Sequence, residues 1–105
     1  MTEVMAANKS FTEIISGEET VLVDFYSDWS TPSMAVKPIV EEVRQKMKNK
    51  LVVLKIDVDR NLKLARYYNI HSVPTLMIFK NNEIRWRHTG ITTVPVIEKI
   101  LRENL

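Results

Sequence analysis

Two serines lie in D-W-S-T-P-S-M, residues 28–34, where a β-like apolar segment is followed by a helix-like one. A serine hydroxyl at a helix start can cap backbone N–H groups, and proline is favoured in the first turn. As a nucleophile, an unassisted serine hydroxyl is weak at neutral pH. The residue types alone therefore leave two interpretations open for Ser30 and Ser33: helix caps, or positions where other chemistry is missing.

Catalysis by serine would require a base and an oxyanion pocket as well. His71 and His88 are the only histidines, and neither lies in a recognisable triad motif. Two isolated histidines also make a poor metal site, and the chain has no cysteine to form disulfides or thiolate ligands. We therefore expect neither a serine hydrolase nor a metal site.

Two charged residues interrupt segments that otherwise favour buried strands. Asp24 lies in V-L-V-D-F-Y, and Lys55 lies in L-V-V-L-K-I-D-V. A charge in such a strand costs free energy unless it is paired or can change protonation. Either both residues face water at an edge or end of a strand, or they serve a site.

Hydrophobic periodicity and capping motifs predict the elements that position these residues. A capping box at Ser10–Glu13 begins the first helix, Pro38 should kink the second, and Asn81-Asn82 should form a hairpin turn. Helices are predicted at about 10–16, 33–48, 61–68 and 96–103, and strands at 21–26, 51–58, 73–80 and 83–88. A fifth, short strand could precede the first helix. The alternation predicts an α/β fold with a mixed sheet of four to five strands and about four flanking helices.

Composition and charge limit the class of protein. The 105 residues are 45% hydrophobic and 27% charged, so we expect one domain over residues 1–105. The net charge of +2 is small and its basic residues are dispersed, which argues against nucleic-acid binding. The sequence also shows neither a signal peptide nor an apolar run long enough to span a membrane, so we expect a cytoplasmic protein, and a monomer.

The element order and several motifs together resemble thioredoxin over essentially the whole chain. The matching segments are V-D-F-Y-S-D-W-S-T-P-S, V-K-P, K-I-D-V-D, V-P-T-L-M-I-F-K-N-N-E and T-G-I. That family has W-C-x-P-C where this chain has W-S-T-P-S, so Ser30 and Ser33 stand at its two cysteine positions. The resemblance implies a thioredoxin fold whose dithiol is missing.

The resemblance also implies what the two positions do in the family. The thiol at position 30 attacks a substrate disulfide, and the thiol at position 33 resolves the mixed disulfide. Thiol–disulfide exchange requires a thiolate, so serine cannot perform it. We therefore expect this chain to be inactive as a protein-disulfide reductase.

Other family residues are present. By resemblance, Asp24 accepts a proton beneath the resolving position, with Lys55 beside it, and we predict that burial raises the pKa of Asp24. Val73 precedes a proline that is cis in the family and offers backbone groups to an extended substrate; the alternative is that Pro74 merely begins a strand. The expected substrate-binding patch consists of Trp29, Thr31, Pro32, Val73, Pro74, Gly90 and Ile91.

Two departures from the family lie outside the expected chemistry: Tyr26 replaces a frequent tryptophan, and Asn82 replaces a frequent turn glycine. Two hypotheses remain for the serines. The chain is a Cys-to-Ser variant of a thioredoxin, or it is a natural redox-dead module that binds proteins. The parent's partners would be disulfide-containing or cysteine-containing proteins and thioredoxin reductase, and it would need no bound cofactor.

Overall fold

A computed structural model describes residues 10–105 of the chain. In chain order the elements are α1 (Phe11–Ile15), β1 (Val21–Tyr26), α2 (Thr31–Met47), β2 (Val52–Asp57), α3 (Leu62–Tyr67), β3 (Thr75–Lys80), β4 (Glu83–Thr89) and α4 (Val94–Glu103). A short 3-10 turn, Lys48–Lys50, follows α2. The additional short strand expected before α1 would lie outside the described residues.

The four strands form one mixed sheet in the order β2-β1-β3-β4. β1 pairs in parallel with β2 and antiparallel with β3, and β3 forms a hairpin with β4. Asn81 and Asn82 have positive φ values of 52° and 66° at the hairpin turn, a conformation that asparagine tolerates better than most residues. The mixed α/β sheet expected from the sequence is confirmed.

The sheet separates two hydrophobic layers. On one face, Leu22, Leu76 and Ile78 pack with buried residues of α2 and α4. On the other face, Val23 and Phe25 pack with Phe11 and Ile15 of α1. Successive residues of β1 therefore alternate between the layers, as a strand covered on both faces requires. This alternation directs Asp24 towards the layer beneath α2 and α4.

The helix starts follow their caps. Ser10 and Glu13 form the predicted capping box, and Thr93 accepts a hydrogen bond from the Val96 N–H group at the start of α4. Thr93 therefore starts α4 at Val94, two residues earlier than predicted. Pro38 lies within α2.

Some predicted inward-facing residues are exposed instead. Met34 and Val96, expected in the apolar stripes of α2 and α4, are each 46% exposed. In α3, Ala65 is buried and Leu64 packs on the α1 side, whereas Leu62 and Tyr67 face solvent. A helix of 6 residues has too few turns for its periodicity to decide which face is inward. No helix among the described residues meets the length and hydropathy needed to cross a bilayer.

Candidate functional site

Ser30 begins α2 directly after β1 and its short connection. Its backbone is extended, and its Oγ accepts a hydrogen bond of 3.2 Å from the Ser33 N–H group. Pro32 occupies the first turn of the helix, where its missing N–H group costs nothing. Ser30 is therefore an N-cap, as its residue type allowed.

Ser33 is fully buried in the first turn of α2. Its Oγ accepts a hydrogen bond of 3.3 Å from the backbone N–H group of Ser27, which follows β1. Two hydrogen bonds thus link the three serines: the Ser27 N–H group donates to Ser33 Oγ, and the Ser33 N–H group donates to Ser30 Oγ. Neither hydrogen bond makes a serine oxygen more nucleophilic, because in both bonds the oxygen accepts from a backbone N–H group and does not donate its proton to a base.

Asp24 lies at the centre of the sheet, paired with Lys55 of β2 on one side and with Leu76 of β3 on the other. Its side chain is 0% exposed, and neither carboxylate oxygen accepts a hydrogen bond from any group within residues 10–105. Desolvation raises the pKa of Asp24 to about 6, against the opposing effects of Lys55 and then Lys37. The burial of Asp24 supports the predicted direction of the pKa shift and its cause, and the alternative that Asp24 faces water is wrong.

Lys55 is half-buried in β2, and its charge stabilises the ionised form of Asp24. It donates no hydrogen bond to either carboxylate oxygen, so the two groups interact through space. A carboxyl group with a pKa of about 6 can both hold and release a proton near neutral pH. Proton transfer by this pair, which the family resemblance implied, stays a prediction.

Trp29 extends into solvent from the connection between β1 and α2. Its side chain is 76% exposed, and its Nε1 donates a hydrogen bond of 2.9 Å to Asp59 Oδ2. The same oxygen accepts a bond of 2.8 Å from Ser27 Oγ. Asp59 is itself positioned by Asp57, whose Oδ1 accepts a bond of 2.9 Å from the Asp59 N–H group.

Ser27 and Asp59 were not among the predicted site residues. The motif K-I-D-V-D and the position of Ser27 two residues before Trp29 contained the relevant side chains. However, a hydrogen bond between residues 27 and 59 depends on the parallel pairing of β1 with β2, which leaves both chain segments at the same end of the sheet. Local sequence patterns carry no such information.

Pro74 follows a cis peptide bond from Val73 and precedes β3, so it also stands where a strand begins. Its carbonyl oxygen accepts a hydrogen bond of 2.8 Å from the Gly90 N–H group. Gly90 has a φ of +100°, a conformation in which an L side chain would be strained. Val73 and Trp29 line one small cavity of about 120 Å³, which brings the Val73 segment beside the start of α2.

The predicted patch is uneven in exposure. Trp29, Thr31, Pro32 and Ile91 are exposed, Val73 and Gly90 are half-buried, and Pro74 is buried. Ile91 is 56% exposed, and its carbonyl oxygen lies 3.2 Å from His88 Nε2. Within residues 10–105, no group of three or more histidine, cysteine, aspartate or glutamate side chains is placed to hold a metal ion.

Comparison with known proteins identifies the family. The family model described as Thioredoxin matches residues 2–103. The chain belongs to the thioredoxin family. Thioredoxin from Bacillus subtilis is 34% identical over 105 residues, covering all of both chains. Thioredoxin from Rickettsia bellii is 38% identical over 91 residues, which is 83% of this chain and 87% of that protein.

The fold agrees with this membership. The structure of a mutant thioredoxin from Halobacterium salinarum superposes with a TM-score of 0.82 at 30% identity, covering 90% of this chain and 82% of that one. The thioredoxin fold inferred from the sequence is therefore confirmed. At the two positions where the resemblance places the family's cysteines, this chain has Ser30 and Ser33, and it contains no cysteine.

Proposed function

We propose that this chain is a thioredoxin whose dithiol has been replaced by Ser30 and Ser33, so that it retains the surface of a protein-disulfide reductase without the reaction. The observation that carries the proposal is the carboxyl group of Asp24, which is buried and accepts no hydrogen bond from the described part of the chain. A buried carboxyl of this kind is costly to stability and useful for proton transfer.

The serines themselves support a Cys-to-Ser origin. Serine is close to cysteine in shape, and its hydroxyl oxygen accepts the bonds from the Ser33 and Ser27 amides at positions that the sulfurs would occupy. The residues around them keep the family pattern: Trp29, Pro32 and Pro74 are all present. Among the site residues that the resemblance identifies, only Ser30 and Ser33 depart from the family pattern, which supports a replacement at those two positions.

In the parent, an extended substrate containing a disulfide would lie beside Val73. The thiolate at position 30, favoured by the N-terminus of α2, would attack one substrate sulfur and release the other as a thiolate. The thiol at position 33, deprotonated by Asp24, would then displace the substrate and leave the protein oxidised. Thioredoxin reductase would restore the dithiol. A cytoplasmic location, a monomeric state and a single domain over residues 1–105 stay predictions.

Restoring the sulfurs tests this proposal. The Ser30→Cys, Ser33→Cys double variant should accelerate insulin reduction by dithiothreitol, whereas the unaltered chain should leave the uncatalysed rate unchanged. The Ser30→Cys single variant is the matched control: it can form a mixed disulfide but cannot resolve it. A folded double variant without activity would refute a reductase parent, and activity of the unaltered chain would refute redox inactivity.

A natural binding module is the second candidate. It is favoured by the exposed apolar side chains of Trp29 and Ile91, which offer a contact surface independent of any thiol. This candidate predicts that reduced, carboxymethylated insulin B chain binds the unaltered chain and the reduced double variant with equal affinity, and that Trp29→Ala weakens both. Tighter binding after restoration of the thiols would instead favour the variant hypothesis.

A further inference from the structure

A second surface lies on the α1–α3 side of the sheet. Two adjoining depressions of about 430 and 390 Å³ share Tyr67, Tyr68 and Asn82 in their walls, so they form one groove. None of its lining residues belongs to the predicted patch around Ser30. Any function of this groove is therefore separable from the function of the dithiol position.

The groove has an apolar floor with an exposed aromatic wall. Phe11, Ile15 and Leu64 line the first depression, and Phe79 and Ile84 line the second. Tyr67 is 77% exposed, although its ring packs edge-on against Tyr68 with 4.9 Å between the ring centroids. An exposed tyrosine beside buried apolar side chains is typical of a surface that receives an apolar residue of a ligand.

The charged side chains that line the groove within the described residues are both positive. Lys63 lines the first depression and Arg87 lines the second, and no aspartate or glutamate among residues 10–105 lines either. Asn82 adds a neutral side chain with both donors and acceptors. An anionic ligand would therefore meet two cations, and no carboxylate from the described part of the chain would compete with it in the walls.

Backbone contacts hold the groove in shape. The Ile70 N–H group bonds to Ala65 O and the Asn69 N–H group to Arg66 O, which closes the end of α3 with Asn69 at a φ of 55°. The Arg87 guanidinium donates to the carbonyl oxygens of Tyr68 and Asn69, linking α3 to β4. A guanidinium has five N–H donors, so Arg87 retains donors for a ligand.

The opposite wall is fixed as well. The Asn82 N–H group donates a bond of 3.0 Å to Ile15 O, which ties the hairpin turn to the end of α1. Both walls are thus anchored to neighbouring elements, and a ligand would not have to order them on binding. Such preorganisation lowers the entropic cost of association.

We propose that this groove binds an acidic peptide segment of a partner protein that carries an aromatic or aliphatic side chain, with Tyr67 contacting the apolar side chain and Lys63 and Arg87 contacting the carboxylates. The described residues supply only two cations to the groove, too few to neutralise a phosphate backbone, which favours a peptide over a nucleic acid. The groove is a docking site that operates whether or not the chain performs thiol chemistry.

The test is a titration of the full 15N-labelled chain with a capped ten-residue peptide of alternating aspartate and phenylalanine, followed by NMR. Amide shifts should concentrate at the groove, around Lys63, Tyr67 and Arg87, with none at Trp29. Lys63→Glu and Tyr67→Ala should each weaken binding by at least about fivefold, because charged and aromatic contacts dominate such interfaces. The affinity should also fall as salt is added.

Two matched controls accompany the variants. Lys50→Glu makes the same charge change at an exposed residue outside the groove, and Leu62→Ala truncates an exposed apolar residue of α3 outside it. Both should bind the peptide like the unaltered chain. The proposal is overturned if the peptide does not bind at millimolar concentration, if a peptide with lysine in place of aspartate binds as tightly, if the controls weaken binding equally, or if oligothymidylate binds this face more tightly than the peptide does.

Discussion

Asp24 should make the protein less stable as the pH rises, and Asp24→Asn should remove this dependence. In the unfolded chain Asp24 has its ordinary pKa of 3.8, whereas burial raises the pKa in the folded protein to about 6. Below the lower value, both states are protonated and the group has no effect. Between the two pKa values the folded state binds the proton more tightly than the unfolded state does, so the free energy of unfolding falls as the pH increases. Above about pH 6 the whole destabilisation by Asp24 is present.

The magnitude follows from the difference between the two pKa values. A shift from 3.8 to about 6 corresponds to about 3 kcal/mol at about 1.4 kcal/mol per pKa unit. Of this, about 2 kcal/mol should be lost between roughly pH 4.5 and roughly pH 7.5, because the unfolded state is already mostly ionised at the lower of these pH values. The group is 0% exposed, so solvent screening does not reduce this figure substantially.

The assay is urea unfolding of the unaltered chain and of Asp24→Asn at several pH values. The quantity to compare is the difference in unfolding free energy between the two proteins at each pH. Other carboxylates make the protein less stable as the pH falls, which is the opposite dependence; for example, the hydrogen bond from Arg44 lowers the pKa of Glu41. Glu19→Gln is the control, since it makes the same acid-to-amide change at an exposed residue. Its stability profile should stay parallel to that of the unaltered chain.

Parallel pH profiles for Asp24→Asn and the unaltered chain would refute the reasoning. A direct titration by carboxyl NMR gives an independent check: the Asp24 resonance should change with a midpoint near 6. A midpoint at the ordinary value for aspartate would mean that the carboxylate is solvated, and the free-energy argument would fail with it.

Further predictions concern the neighbours of Asp24 and the two serines. Lys55→Met should move the NMR midpoint of Asp24 above about 6, because the lysine charge lowers that pKa in the unaltered chain; an unchanged midpoint would contradict the interaction. Ser30→Ala should destabilise the protein by about 1 kcal/mol in urea unfolding, because the N-cap of α2 is lost. Ser33→Ala should cost about 1–3 kcal/mol, since it leaves the Ser27 N–H group buried without its acceptor, and a smaller loss than for Ser30→Ala would contradict that.

The strands and the sheet were predictable from the sequence because each strand is covered by apolar side chains on both faces or bounded by a clear turn. Val21–Tyr26 was predicted with its observed bounds, and the asparagines of the hairpin turn adopt the positive φ values expected of them. The burial of individual helix residues was less predictable. Met34 was grouped with the apolar stripe of α2, yet it precedes the buried Val36 by two residues, which is about 200° around the helix, so it lies on the opposite face.

The residues of the candidate site were likewise predictable only in part. Ser30, Ser33 and Asp24 stand out in the sequence because each is unusual in its local context. Asp59 does not, because a carboxylate after a strand is common on protein surfaces, and its contact with Trp29 depends on tertiary structure. The groove of Tyr67 and Arg87 was unpredictable for the same reason: its walls come from α1, α3 and β4.

The cost of Asp24 also bears on how the serines arose. A carboxylate that destabilises the folded protein by about 3 kcal/mol at neutral pH is a large burden for a domain, whose total stability is typically about 5–15 kcal/mol. In a reductase of the proposed kind this destabilisation would have a purpose, because Asp24 would accept the proton of the resolving thiol. In a chain without thiols it has none, and any apolar or amide replacement that packs adequately would relieve it. Under the proposed Cys-to-Ser origin, a chain that has serine at position 33 and still has Asp24 is expected if the thiols were lost without time or selection to adjust the rest. If Asp24→Asn weakens partner binding at the Trp29 surface while stabilising the fold, the carboxylate has acquired another role, and the natural binding module becomes the better explanation.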